Sequence, residues 1–138
     1  MKYIDYVLSF AIGAVLYSAI EIIWRGHTHW TMTIVGGLCL SFIHYLRKKC
    51  PNVSLTLRCF TGAVFICTME FITGFIVNIM LSWNVWDYTS RAFNICGQIC
   101  LPYAVLWFLL CLPANTLSAL IEKLSKNKTL SKDNINVQ

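Results

Sequence analysis

Apolar residues gather into four runs, 4–24, 30–46, 59–81 and 99–121, with short polar stretches between them. Each run falls within the roughly 17–25 residues that a helix needs to cross a bilayer. The pattern predicts an all-α, polytopic membrane protein of four transmembrane helices arranged as two hairpins. It divides the chain into a membrane domain, 1–121, and a polar, basic cytoplasmic tail, 122–138, expected to be disordered. Little chain is left over for a soluble catalytic domain.

The third run carries the residue on which a functional reading turns. Glu70 stands near its middle, so at ~1.5 Å of rise per residue it sits close to the centre of the membrane. Insertion remains favourable, because the run's eleven Leu, Ile, Val and Phe side chains at about −0.3 to −0.6 kcal/mol each offset a carboxylate costing about 3 kcal/mol. Gly62, Ile66, Glu70, Gly74 and Asn78 recur every four residues and form one stripe of small and polar positions. Such a stripe meets protein rather than lipid, and an ionisable residue within it is a functional-site hypothesis. The expected polar pathway is Glu70, Asn78 and Glu21. The competing reading is a protonated Glu70 hydrogen-bonded to a neighbouring helix.

After Trp83 comes a stretch too polar for lipid and too aromatic for an ordinary wet loop, VWDYTSRAFNICGQIC. It predicts a segment at the outer interface or folded back on the bundle, where irregular backbone is tolerated only against protein or a water-filled cavity. Its candidate residues are Trp86, Asp87, Tyr88, Asn94, Gly97 and Gln98, an outer-loop motif expected to close the mouth of the bundle. Asn94 is placed to cap the following helix, Gly97 to make a tight turn, and Asp87 and Arg91 to form a local pair.

Elsewhere, Glu21 and Arg25 stand four apart and face the same side of the first helix. Trp24 and Trp30 suit the interfacial belt. Gly36 and Gly37 permit close helix packing, His44 reads as a wet interfacial histidine, and Pro113 predicts a kink in the fourth helix. Glu21, Gly26, Trp30, Gly37 and 38–40 run in the same order as Glu70, Gly74, Trp86, Gly97 and 99–101. That order allows a parallel repeat of the two hairpins, with the two glutamates facing one another.

Composition changes this picture little. The 138 residues are 57% hydrophobic and 12% charged, with mean hydropathy +0.63. The formal charge of +5 is confined largely to Lys2, to 47–58 and to the tail. Those groups fall on one face of a four-span protein, so the positive-inside rule puts both termini and the middle loop in the cytoplasm, N-in/C-in. That distribution points to anionic headgroups and argues against nucleic acid. Seven cysteines, odd in number and mostly inside apolar runs, read as small hydrophobes rather than a disulfide framework. The first run continues beyond the length of a signal-peptide core and is expected to remain as an anchor.

The blocks EIIWRGHTHWTMTIVGGLC, EFITGFIVN and VWDYTSRAFNICGQICL resemble the ABC-transporter type IV permease family of small bacterial integral membrane proteins. The most specific part is Trp86-Asp87-Tyr88 followed by Phe93-Asn94 and Gly97-Gln98-Ile99-Cys100-Leu101. Thr89 and Ala92 stand where the family often has Ser and Pro. The resemblance implies a multi-pass protein of the bacterial cell membrane with a transport role. No G-x-x-x-x-G-K-[ST] phosphate loop is present, so any ATPase is a separate partner.

The expected function is a transporter or permease component that moves a small solute or ion past a mid-membrane carboxylate, with no catalytic residue, metal or cofactor. The alternative is a non-conducting assembly protein that binds a partner helix. Four spans enclose little space, so the expected partners are the lipid bilayer and either further copies of the chain or another membrane subunit.

Overall fold

The computed structural model describes residues 3–135. Helix α1 runs Ile4–Arg25, α2 Trp30–Lys49, α3 Leu55–Gly74 and α4 Leu101–Ile135, and α3 passes directly into a π-helical turn, Phe75–Met80. Three of these segments, Ile4–Arg25, Leu55–Met80 and Leu101–Lys128, are long and apolar enough to cross a membrane. Helix α2 has the length, but two threonines, two glycines, Ser41 and His44 dilute its apolar character. Its burial explains that composition, since it packs against α1, α3 and α4.

Local chemistry sets the helix ends. Helix α1 stops at Gly26, whose left-handed φ of 77° and N–H to the Ile22 carbonyl at 2.8 Å make a common helix-ending turn. Helix α2 starts at His29, whose ring nitrogen accepts from the Thr31 amide, and α3 starts at Ser54, whose hydroxyl accepts from Leu57. Pro113 lies inside α4 without ending it. The helix also continues past 121, so the tail expected to lack structure is helical as far as Ile135, and 136–138 lie outside the described residues.

Close packing organises the first hairpin. A Cβ on Gly13 would stand 2.5 Å from the Gly36 carbonyl oxygen, so the two backbones meet where only glycine fits. In an antiparallel pair this contact fixes the rest of the register. Eight residues back along α1 and eight on along α2 lie Asp5 and His44, and these two do meet. The shared core is built from Met32, Val35, Cys39, Ile43, Cys59, Ala63, Ile66 and Cys111. The outward faces remain apolar, with Val7, Val15, Ile23, Leu57 and Leu109 all exposed, the arrangement of a bundle solvated by acyl chains.

Contacts sort the helix ends into two groups. Lys48 pairs with Asp5 and Arg47 with Glu122, which gathers α1, α2 and α4 at a basic end. Trp24 bonds Tyr103, and His29 packs against Trp83, which gathers all four helices at the opposite, loop end.

Candidate functional site

One stripe of α1 supplies the site. Asp5, Ser9, Gly13, Tyr17 and Glu21 recur every four residues and are all buried, because that spacing keeps them on one face of a helix. The stripe meets polar partners at three levels.

At the middle level, Glu70 on α3 is 3% exposed. Tyr17 donates its hydroxyl to Oε1 at 2.5 Å, and Trp107 on α4 donates its indole N–H to Oε2 at 3.0 Å. The two rings stack with centroids 5.3 Å apart. Both carboxylate oxygens are therefore engaged, and one acidic side chain joins three helices. Burial of such a group is tolerated only when its oxygens are bonded.

At the loop end, Glu21 accepts from Arg25 through Oε1 and from Thr28 through Oε2, the latter at 3.0 Å. The pair expected from their spacing is formed, with Glu21 buried and Arg25 half-buried. Arg25 also lies over the Trp86 ring at 5.9 Å.

At the basic end, sequence reasoning missed a cluster. His44 is fully buried, against the expectation of a wet histidine. Its Nδ1 lies 2.8 Å from the Ser118 hydroxyl, which also accepts from Arg47 Nε at 3.0 Å. Its Nε2 faces Asp5 Oδ2 at 3.3 Å without hydrogen-bond geometry. Lys48 and Arg47 complete the cluster through Asp5 and Glu122. The signal was available, since Met32, Gly36, Leu40 and His44 share one four-residue stripe on α2.

The outer loop is a knot around two amides. Asn78 donates to Gln98 Oε1 at 2.8 Å, and its own oxygen accepts from the backbone of Val85 at 2.7 Å and of Trp86 at 3.4 Å. The Gln98 side chain in turn donates to the Cys96 carbonyl, and the Gln98 backbone carbonyl accepts the Trp86 indole N–H. A Cβ on Gly74 would run into Gln98 and Trp86, so this glycine and the widened π-helical turn make room for the loop to dock. Trp86 and Tyr88 are buried, and Tyr88 stacks on Tyr103 at 4.8 Å.

Asn94 does not cap α4, which begins only at Leu101. Its side chain instead holds the turn, donating to the Thr89 and Arg91 carbonyls and accepting from the Gly97 amide. Gly97 has the left-handed φ, 69°, that its turn requires, and its carbonyl accepts from Tyr88 at 2.8 Å. Asp87 is exposed and does not pair with Arg91, which lies over Tyr103 at 5.8 Å. The Thr89 backbone N–H, 2.8 Å from Asp87 Oδ1, holds that carboxyl below its ordinary value.

Of the expected pathway residues, Glu70, Glu21 and Asn78 each sit in a separate hydrogen-bonded group, and no hydrogen bond joins the three. Two cavities approach Glu70 without reaching it. One of about 180 Å³ is lined by Glu21, Arg25, Tyr88, Tyr103 and Trp107 among others. The other, about 290 Å³, is lined by Gly13, Tyr17, Leu40, Ile66 and Trp107 among others. Tyr17 and Trp107 thus stand between cavity and carboxylate. Among the described residues no group of three or more His, Cys, Asp or Glu is placed to hold a metal ion.

The family model described as Putative ABC-transporter type IV matches residues 8–133, which span all four helices and the loop. The chain belongs to this family. No solved structure matches it. Membership and three membrane-length apolar helices together make this ABC-transporter type IV chain a membrane protein of a transport-related family. The matched region contains every residue of the three polar levels except Asp5.

Proposed function

We propose that the chain is a transporter component in which Glu70 exchanges a proton or cation during passage of a small solute through the membrane. The observation that carries this reading is the engagement of both Glu70 oxygens by donors from two other helices. A change in the charge of this carboxylate alters its bonds to α1 and α4 together, and so couples ionisation to helix position. Tyr17 stands between Glu70 and the apolar cavity, and its hydroxyl is the group through which a proton would arrive. The Trp86-Asp87-Tyr88 loop covers the loop end of the bundle. On this reading both termini face the cytoplasm, and a further copy of the chain or a second membrane subunit completes the path. A separate ATPase would supply any ATP-driven step.

The test is proton movement in proteoliposomes carrying an internal pH dye, after an imposed pH step. The reading expects Glu70→Gln to slow the wild-type flux about tenfold or more, equivalent to at least ~1.4 kcal/mol, at equal reconstitution. Undiminished flux overturns it.

The same carboxylate favours a second reading, because it has no oxygen left unbonded and lines neither neighbouring cavity. It would then be a clamp inside a non-conducting assembly protein. Mild-detergent capture of a stoichiometric membrane partner, with no flux in either protein, selects that reading.

A further inference from the structure

The two cavities beside Glu70 are parts of one groove. Both are lined by Ile20, Trp107 and Leu110, so they adjoin along the seam between α1 and α4. Their walls differ in chemistry. The part at the loop end is lined by the Glu21–Arg25 ion pair and by Trp24, Tyr88, Tyr103 and Trp107. The part below it is lined by Leu16, Leu40, Ile43, Pro113 and Leu117. Tyr17 and Trp107 direct their polar hydrogens away to Glu70, so they present apolar ring surface to the groove.

We propose that this groove binds one zwitterionic phospholipid from the surrounding bilayer, with its head at Glu21 and Arg25 and an acyl chain in the apolar part. Charge complementarity selects this occupant. Arg25 and Glu21 put one positive and one negative group side by side, which matches the phosphate and ammonium of a zwitterionic head. A net anionic head brings its phosphate to Arg25 but sets a negative charge beside Glu21, already bonded to Arg25 and Thr28, and offers no cation to the surrounding rings. Among the described residues Arg25 gives its side-chain hydrogen bond to Glu21 alone, so its remaining N–H groups are available for a phosphate oxygen. Four aromatic rings around the pair offer π faces to an ammonium group. The apolar part has no side chain that could hold a head but continues the site for a chain. Trp24 Nε1, bonded to Tyr103 Oη at 3.0 Å, ties α1 to α4 across the seam at the headgroup level. This binding does not require Glu70 to exchange a proton.

The full chain is reconstituted in mixed bilayers doped with phosphatidylethanolamine or phosphatidylglycerol carrying a photoreactive diazirine on the acyl chain, and labelled peptides are mapped. The expected result is labelling of α1 and α4 around Leu16, Ile20 and Leu110. That labelling should exceed, by about threefold or more (~0.7 kcal/mol), both the phosphatidylglycerol signal and the label on the outward face of α2 around Ile34 and Leu38. Arg25→Gln should erase the headgroup preference. Ala114→Phe, which fills the apolar part, should erase the label while keeping the headgroup-end residues intact, and it serves as the readout if Arg25→Gln does not fold. Equal labelling by the two lipids, or labelling spread evenly over all outward faces, overturns the proposal. Competition by water-soluble glycerophosphoethanolamine also overturns it, assigning the site to a soluble zwitterion.

Discussion

Tyr17 and Trp107 stack on each other and bond opposite oxygens of the same carboxylate, Glu70. Interhelical hydrogen bonds in membranes average ~0.6 kcal/mol with a maximum near ~1.7, and a charged or strongly polar acceptor belongs at the upper end. Tyr17→Phe is therefore expected to cost about 1–2 kcal/mol by thermal or SDS unfolding. Trp107→Phe loses the bond and weakens the ring stack, and should cost about 2–3 kcal/mol. Combined with Glu70→Leu, which removes both acceptor oxygens, Tyr17→Phe should cost less than the sum of the single changes. Strict additivity in that cycle would show that the hydrogen bond contributes nothing.

At the basic end, His44 is fully buried and bonds Ser118. His44→Leu removes the bond to Ser118 and leaves that hydroxyl and Arg47 to rearrange, which should cost about 1–3 kcal/mol in the same unfolding assay. Ser118→Ala should cost less in that background than in the wild type, since its bond to His44 is already gone and only the acceptor for Arg47 is left to lose.

Asn78 holds the outer loop. Asn78→Ala strips the Val85 and Trp86 amides of their acceptor. Hydrogen exchange at those two amides should rise about tenfold for each ~1.4 kcal/mol of lost protection, while α1 amides keep wild-type rates. Uniform acceleration across the chain would mean that the residue supports the bundle as a whole.

The loop also carries a pH-dependent contact. Asp87 is held below its ordinary value by the Thr89 amide. A carboxyl depressed in the folded state adds stability that is fully present above its unfolded value of ~3.9 and is lost as pH falls through the folded value. Corrected exchange of the Thr89 amide should be flat from neutral pH down to about 5 and rise below about 4. Asp87→Asn keeps an acceptor oxygen in place and should abolish the pH dependence.

Much of the bundle was legible from spacing. The stripe through Glu70 on α3 did mark an inward face, and the Glu21–Arg25 pair formed as their separation implied. The equivalent stripe on α1 went unread because Asp5 and Ser9, at the start of an apolar run, look like an interfacial boundary. Only the Gly13–Gly36 contact, a long-range fact, puts Asp5 opposite His44. Asn94 looked like a helix cap because amides favour that position, yet α4 begins later and the same chemistry serves a turn. Likewise, Asn78 lies on the Glu70 stripe by count, but the π-helical turn after Gly74 changes the pitch there and hands it to the loop.

The repeat of polar positions along α1 has a mechanical consequence. Asp5 and Tyr17 are fastened to other helices at two heights, so a small axial slip of this helix would unfasten both at once. A full turn, ~5.4 Å, would carry Tyr17 to the height of Gly13, where any side chain meets the Gly36 carbonyl, so that position is closed as well. The glycine contact works as a key that admits a single axial position of α1 against α2.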